Sequence, residues 1–226
     1  MRRGHEDLAI LLLENGADAE SLDWAGHQTP LTYSVHEGLI SIVRKLIQQN
    51  VDAQPEFTIP ILITAAQHGY AEVFKLILDD VASRYPESLL FEQYAALDSA
   101  AYDGNTEILR ILLDRGSSPD GHPDGRSPPL HTAIENNHYQ AVRLILNHGA
   151  NLCHDTNELD IAVSILRRES SRGKEVFELL WEACRAITDM DYRAQVEHIL
   201  QSRVRRRRSF DVMTMTITVH TLGSDS

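Results

Sequence analysis

The sequence predicts an all-α solenoid, in which helix–turn–helix units stack and are joined by short hairpin loops. Two observations lead to this fold class: the chain repeats itself, and the apolar residues of each copy have helical spacing. Residues 4–17, 104–117 and 137–150 carry apolar pairs at the same offsets, and a glycine closes each block. Copies open at positions 4, 38, 69, 104 and 137, which are 34, 31, 35 and 33 residues apart. A period near 33 residues with helical patterning is typical of units that bury their apolar faces against one another.

Each full unit is predicted to contain two helices with a tight turn between them. Thr29 and Pro30 lie shortly before an opening position, and proline is preorganised for the first turn of a helix. Small residues such as Ala65 and Ala66 let this first helix pack closely on the second. A glycine or Asn50 after the second helix suits a left-handed C-cap. These signals therefore predict helix starts and ends in the units that carry them.

These motifs resemble the ankyrin repeat, whose pattern is Thr-Pro-Leu-His-x-Ala-Ala, then Gly-His, then Val-Val-x-x-Leu-Leu-x-x-Gly-Ala. The resemblance covers about residues 4–152 clearly and residues 153–184 weakly. It implies an ankyrin-repeat solenoid that starts with a partial repeat and closes with a C-terminal helix. The expected organisation is a partial repeat holding only the second helix (1–20), four ankyrin repeats (21–152), a degenerate repeat (153–187), a capping helix (188–204) and a basic, then flexible tail (205–226).

Two features depart from the pattern. Val81 stands where the third unit should close with glycine, and the extra residues 83–88 follow it. They predict a longer or irregular loop. The chain also begins at the second helix of a repeat, with apolar residues around that helix. The sequence leaves open whether the chain is a fragment of a longer array or has a frayed first helix.

Composition and charge exclude several classes of protein. The chain has 226 residues and a net charge of −12; because residues 201–226 hold five arginines and two aspartates, residues 1–200 carry −15. Such an acidic body disfavours duplex nucleic acid. No apolar run approaches the ~20 residues of a membrane span, and no signal peptide is predicted. Cys153 and Cys184 are predicted to be reduced, buried thiols rather than a disulfide.

A search for catalytic and metal-binding motifs predicts no enzyme, no cofactor and no metal. The resemblance implies that His5, His131 and His138 are hydrogen-bonding residues of the turns. His148, Cys153 and His154 lie close in sequence but lack a fourth ligand at a usual zinc spacing.

The resemblance implies instead a concave binding surface made by the first helices and the hairpin tips. The candidate residues on the concave face are Tyr33, His36, Glu37, Gln67, His68, Tyr102, Asp103, Glu135 and Asn136. Those at the hairpin tips are Trp24, His27, Phe57 and Arg126. Exposed tyrosine and tryptophan are typical anchors of protein interfaces.

We therefore expect a monomeric, intracellular scaffold or adaptor that binds a protein partner with a basic surface. The alternative is a fragment or subunit of a larger signalling or enzymatic protein whose active domain lies elsewhere. A cytoplasmic location is expected, with the nucleus as a second possibility. Arg205–Arg208 is a candidate import signal, and Ser209 directly after it is a candidate phosphorylation site.

Overall fold

A computed structural model describes residues 2–23, 28–51, 55–86, 89–122 and 128–151, together with positions 179, 180, 182, 183 and 194. These residues form helices and connecting turns, and no strand occurs among them. The helices are α1 (Arg2–Glu14), α2 (Pro30–His36), α3 (Ile40–Gln48), α4 (Pro55–His68), α5 (Ala71–Arg84), α6 (Leu89–Asp103), α7 (Thr106–Asp114), α8 (Pro129–Glu135) and α9 (Tyr139–Asn147). Within these ranges, no helix has the length and apolar character needed to cross a bilayer.

The helices stack in two layers, as the repeat period predicts. The first-helix layer consists of α2, α4, α6 and α8, each of which contacts the next. The second-helix layer consists of α1, α3, α5, α7 and α9, again in consecutive contact. Each first helix also packs on the second helix that follows it. The all-α solenoid fold is therefore confirmed.

The core lies between these two layers and repeats with the sequence. One position of the second helix, eight residues after each opening position, is almost fully buried in four units, where Leu46, Ile77, Leu112 and Ile145 occupy it. Opposite them, the first helices bury small residues. Ser34, Ala65, Ala66, Ala100, Ala101 and Ala133 are all solvent-inaccessible or nearly so. Small side chains bring the two helices of a unit close together, as predicted.

Two local predictions about the helix ends are also confirmed. Thr29 caps α2: its hydroxyl accepts a 3.2 Å hydrogen bond from the backbone of Thr32, whose hydroxyl accepts one of 2.8 Å from the backbone of Thr29. Asn50 has a φ of 55°, the left-handed conformation expected where the other units close with glycine.

The third unit differs from the prediction of an irregular loop. Helix α5 runs on to Arg84 instead of ending near Val81. The side chain of Val81 is buried, and Arg84 donates a 2.9 Å hydrogen bond to Asp80 one turn back. Burial and an i,i+4 ion pair both favour another turn of helix. Of the extra residues 83–88, only Ser83 and Arg84 extend the helix, so the predicted longer or irregular loop was wrong for these two positions and stays a prediction for the rest.

Helices α4 and α6 are 14 and 15 residues long, whereas α2 and α8 have seven each. Their extra turns precede the positions at which the shorter first helices begin. Phe57 therefore lies within α4 and not at a hairpin tip.

Helix α1 is the first described helix of the second-helix layer and packs on α3. It buries Leu13 but leaves Leu8, Leu11 and Leu12 exposed. Leu12 occupies the same repeat position as Leu112, but Leu12 is exposed and Leu112 is buried. Of residues 152–226, the described positions are helical and Leu180 is buried. The capping helix, the tail and both cysteines otherwise fall outside the described residues.

Candidate protein-binding face

The C-terminal ends of the first helices, with the turns that follow, place the predicted concave residues side by side. We call this surface the first-helix face; it consists of Tyr33, His36, Glu37, Gln67, His68, Tyr102, Asp103, Glu135 and Asn136. Tyr33 is 52% exposed and Tyr102 is 60% exposed. Because the four units share one register, equivalent positions of α2, α4, α6 and α8 form rows across the layer. All nine predicted residues are at least partly accessible to solvent.

Aromatic contacts join the first two units of the face. The rings of His36 and His68 meet edge to face with centroids 5.1 Å apart, and His68 stacks on Tyr70 at 5.5 Å. Nδ1 of His36 lies 3.2 Å from the carboxylate of Glu37. Nδ1 of His68 donates a 2.9 Å hydrogen bond to the carbonyl of Thr64. Since a carbonyl oxygen can only accept, this bond fixes a proton on Nδ1 of His68.

Side chains at the start of the second helices connect each turn to the preceding turn. The ring of Tyr70 lies over Gly38, Asn105 lies over Gly69, and His138 lies over Gly104. A Cβ atom at any of these glycines would come within 3 Å of the overlying side chain. Glycine is therefore required at these positions for two reasons: the backbone has a positive φ, and a Cβ atom would collide with the overlying side chain.

Hydrogen bonds in these turns hold the backbone of the face residues. Nδ2 of Asn105 donates to the carbonyls of Ala66 and Gln67, at 2.6 and 3.0 Å. Nε2 of His138 donates to the carbonyl of Tyr102 at 2.9 Å. Gln67 and Tyr102 are thus positioned by the next unit along the chain. The expectation that His138 is a hydrogen-bonding residue of the turn is confirmed.

The last described unit has its own local contacts. Nε2 of His131 lies 3.4 Å from the carboxylate of Glu135, one turn further along α8. The side-chain amide of Asn136 donates a 2.9 Å hydrogen bond to the carbonyl of Thr132. Both residues of the face are therefore oriented by neighbours on their own helix.

The two helix layers differ in their content of basic residues. Helices α2, α4, α6 and α8 contain neither lysine nor arginine, whereas acidic residues of the face include Glu37, Asp103 and Glu135. The lysines and arginines of the described helices are all on the second-helix layer: Arg2, Arg3, Arg44, Lys45, Lys75, Arg84, Arg110 and Arg143. Several basic side chains of that layer bridge neighbouring units, such as Lys45 to Glu14 at 2.9 Å and Arg115 to Asp79. The first-helix face is consequently the acidic side of the stack.

The remaining candidate residues are not described. Trp24, His27, Arg126 and Ser209 lie outside the described residues, and only the backbone of Phe57 is described. In the described part of the chain, no three potential ligands among His, Cys, Asp and Glu come together. His148 contacts Asp114 at 3.2 Å, and Cys153 and His154 are outside the described ranges.

Sequence reasoning missed two kinds of residue. Tyr70 and Asn105 occupy the position that His138 also holds, directly after the turn glycine or its equivalent, and this shared register was the available signal. The exposed Leu90 and Phe91 were missed because they lie in the extra first turns of α6, which no repeat motif covers.

The stacked helix pairs and their rows of exposed side chains define a repeat protein of the kind that presents an extended binding surface. Models of the family described as "Ankyrin repeats (3 copies)" match residues 1–85 and 62–156. The chain therefore belongs to the ankyrin repeat family. Domains of this family are generally non-catalytic modules for protein–protein interaction.

Similar proteins have varied names. The "Ankyrin repeat and KH domain-containing protein mask-1" of Caenorhabditis elegans is 31% identical over 170 residues, which is 75% of this chain and 6% of that protein. The "B-cell lymphoma 3 protein homolog" of Mus musculus is 31% identical over 155 residues, 65% of this chain and 33% of that protein. The chain thus spans a third or less of the length of these relatives.

Two solved structures support the fold. The ankyrin repeat domain of human ASB11 aligns with a TM-score of 0.59 at 24% identity, covering 78% of each chain. The ankyrin repeat domain of Bcl-3 aligns with a TM-score of 0.50 at 25% identity, covering 73% of this chain and 80% of that one.

Proposed function

We propose that this chain is a non-catalytic scaffold or adaptor that binds a partner protein on its first-helix face. The observation that carries the proposal is the alignment of exposed side chains from four consecutive units on one layer, with Tyr33 and Tyr102 more than half exposed. Large exposed aromatic side chains supply contact area at low entropic cost and are frequent hot spots. Asn105 holds the backbone of Gln67 and His138 holds that of Tyr102, which reduces the ordering cost of binding at these two face residues.

The dimensions of the face suit a protein partner. Packed helices lie ~8–10 Å apart, so four first helices extend over ~30 Å. A standard protein interface buries ~800 Å² on each partner. The first helices would supply the larger part of this area, and the turns and hairpin tips beside them would supply the rest. The hairpin-tip residues Trp24, His27 and Arg126 remain proposed contributors at its border, as does Phe57 on α4.

The partner is proposed to be basic where it meets this face. Glu37, Asp103 and Glu135 contribute negative charge there, and the helices beneath offer no lysine or arginine to neutralise it. Complementary charge mainly raises the association rate and discriminates between partners. Two copies of this chain would oppose acidic groups across the same face, so this face favours a monomer over self-association. The same charge disfavours duplex nucleic acid.

A second candidate function is that of an interaction module in a larger enzyme. The observation that favours it is the similarity to the "Probable E3 ubiquitin-protein ligase XBOS32" of Oryza sativa, which is 26% identical over 73% of this chain and 32% of that protein. In this case the chain recognises a protein and the catalytic step belongs to another domain. We propose a cytoplasmic location, with nuclear entry through Arg205–Arg208 as the alternative.

The test is to capture the partner with purified chain, identify it by mass spectrometry, and titrate it by calorimetry. The double variant Tyr33→Ala, Tyr102→Ala should bind ~1–4 kcal/mol more weakly and keep its melting temperature within a few degrees, because exposed side chains contribute little to folding. Leu8→Ala is the control, since Leu8 is about as exposed as Tyr33 but lies on the second-helix layer. Equal affinities of the wild type and the tyrosine variant would refute the proposed site.

A further inference from the structure

An exposed apolar patch extends the first-helix face along helix α6. Leu90 is 64% exposed and Phe91 is 50% exposed, both in the first turns of this helix. These turns have no counterpart in α2 or α8, which are half as long as α6. Helix α4 has comparable extra turns, but Pro55 and Glu56 stand there at the positions of Leu90 and Phe91. The apolar pair is therefore not a general feature of the repeat.

The rings around this patch are held by a neighbouring loop. His122, which precedes α8, lies edge-on to Phe91 with ring centroids 6.1 Å apart and edge-on to Tyr94 at 5.1 Å. Edge-to-face contacts of this kind are favourable arrangements of aromatic rings. They orient Phe91 while leaving half of its surface accessible, so the ring is preorganised for an incoming side chain.

Helical geometry connects Phe91 to the acidic end of the same helix. Asp98 and Tyr102 follow Phe91 by seven and eleven residues, and these separations bring all three within ~20° of one line along the helix. At ~1.5 Å of rise per residue, Phe91 and Tyr102 lie ~16 Å apart. This line of residues on α6 thus starts at the exposed ring of Phe91 and ends at Tyr102, next to the exposed carboxylate of Asp103.

We propose that the partner engages α6 through an extended segment that places a bulky apolar side chain on Phe91 and Leu90 and a lysine or arginine near Tyr102 and Asp103. An extended chain advances ~3.3 Å per residue, so the apolar and the basic residue should be ~5 residues apart. The basic side chain can pair with the carboxylate and lie on the face of Tyr102. This inference rests on the proposed function and specifies the chemistry of the partner.

The occupant is a basic segment rather than a second copy of this chain. The first helices of a second copy would bring acidic side chains and no lysine or arginine against Asp98 and Asp103. Like charges opposed in an interface cost several kcal/mol. A segment with only apolar residues would contact Phe91 but would make no use of the exposed carboxylate of Asp103.

The probe is a fluorescent nine-residue peptide: leucine and phenylalanine, then four serine or glycine residues, then Arg-Lys-Arg. Two matched peptides replace either the apolar pair or the basic triplet by serine, and each is also made in the reverse order. Fluorescence polarisation should show that the complete peptide, in at least one order, binds at least tenfold more tightly than either matched peptide. Equal affinities for the complete peptide and the peptide without the apolar pair, in both orders, overturn the inference.

Variants of the chain then assign the two contacts. On the wild-type chain, the complete peptide should bind tenfold more tightly than the peptide without the apolar pair, and Phe91→Ser should reduce this ratio to below twofold. Asp103→Asn should weaken the binding of only those peptides that contain the basic triplet. Leu8→Ser, an equally exposed apolar residue on α1, should change neither. The comparison of peptides on the wild-type chain needs no variant, so it holds even if Phe91→Ser unfolds the unit.

The two proposals fail separately. If the peptides do not discriminate but the captured partner still depends on Tyr33 and Tyr102, the first-helix face stands and the segment on α6 is wrong. If the captured partner depends on neither tyrosine, the proposed function itself fails at this face.

Discussion

Nε2 of His138 donates a 2.9 Å hydrogen bond to the carbonyl oxygen of Tyr102, 36 residues earlier in the chain. The bond joins the turn of one unit to the turn of the unit before it, and the imidazole ring covers Gly104. Asn105 makes the same kind of connection to Ala66 one unit earlier. A side chain at the start of a second helix thus holds the backbone that presents a face residue, so the same turn contributes to the stability of the stack and to the geometry of the first-helix face.

The first prediction concerns Gly104 and Gly116. Both have a positive φ, 73° and 90°, so alanine is strained at either position. Only at Gly104 would the new Cβ meet the ring of His138, because nothing lies within 4 Å at Gly116. We expect Gly104→Ala to lower the free energy of unfolding by ~1–3 kcal/mol more than Gly116→Ala, because the new methyl group also displaces the imidazole ring and breaks its hydrogen bond. Urea denaturation of both variants measures this difference.

A double-mutant cycle tests the cause. In a chain that already carries His138→Ala, Gly104→Ala should cost about as much as Gly116→Ala, because the ring that opposed the methyl group is gone. An unchanged penalty at Gly104 in that background would mean that the backbone conformation, and not the imidazole, is responsible.

The second prediction compares two leucines at the same position of the repeat. Leu112 is fully buried, whereas Leu12 is 53% exposed. Leu112→Ala should destabilise by ~2–5 kcal/mol, since it leaves a cavity between the layers. Leu12→Ala should cost ~1 kcal/mol or less, because an exposed side chain loses little packing. Thermal and urea unfolding give the two values, and hydrogen exchange should place the loosening by Leu112→Ala in the neighbouring units first. Similar losses for both variants would contradict the assigned burial.

The sequence predicted the parts of this fold that depend on local chemistry. Thr29 before Pro30 determines a helix start, and aliphatic pairs such as Leu112 and Leu113 determine which side of a second helix is buried. Because the units repeat, the alignment of their sequences also predicted that each first helix packs beside the first helix of the next unit. The row of exposed residues on the first-helix face follows from the same register.

The sequence did not predict the lengths of α4, α5 and α6. The closing glycine is replaced by Val81, whose burial extends α5 to Arg84; burial of one side chain depends on the assembled stack and not on local pattern. Leu90 and Phe91 were likewise unassigned, because an apolar pair before a predicted helix carries no signal of exposure. The contact of His138 with Tyr102 depends on the distance between turns, which only the packed units define.

The third prediction concerns the basic run at residues 205–208. If it is an import signal, replacing all four arginines by alanine in a fluorescently tagged chain should lower the nuclear fraction severalfold. Ser209→Asp should act in the same direction more weakly, because one negative charge offsets only part of the run. Ser209→Ala is the control and should leave the distribution unchanged. An identical distribution for the wild type and the arginine variant would show that these residues only contribute surface charge.

The fourth prediction tests whether the acidic face accelerates association with the captured partner. Asp103→Asn with Glu135→Gln removes two negative charges from the first-helix face. Glu107→Gln with Asp114→Asn removes the same charge from α7 in the second-helix layer. The two carboxylates of the face and the two of α7 are all exposed. Stopped-flow measurements should show a severalfold slower association rate for the first pair of changes and little change for the second, because attraction depends on the distance between charges.

Salt should distinguish this effect from lost contacts. Raising the ionic strength from ~0.01 to ~0.15 M shortens the Debye length from ~30 to ~8 Å, so the association rate of the wild type should fall toward that of the face variant. The dissociation rate should change much less, since exposed charges at an interface mainly affect the rate of association. A wild-type rate that is independent of salt would exclude a basic partner surface. Equal slowing by both pairs of changes would instead point to the net charge of the chain, and the first-helix face would then have no special part in steering.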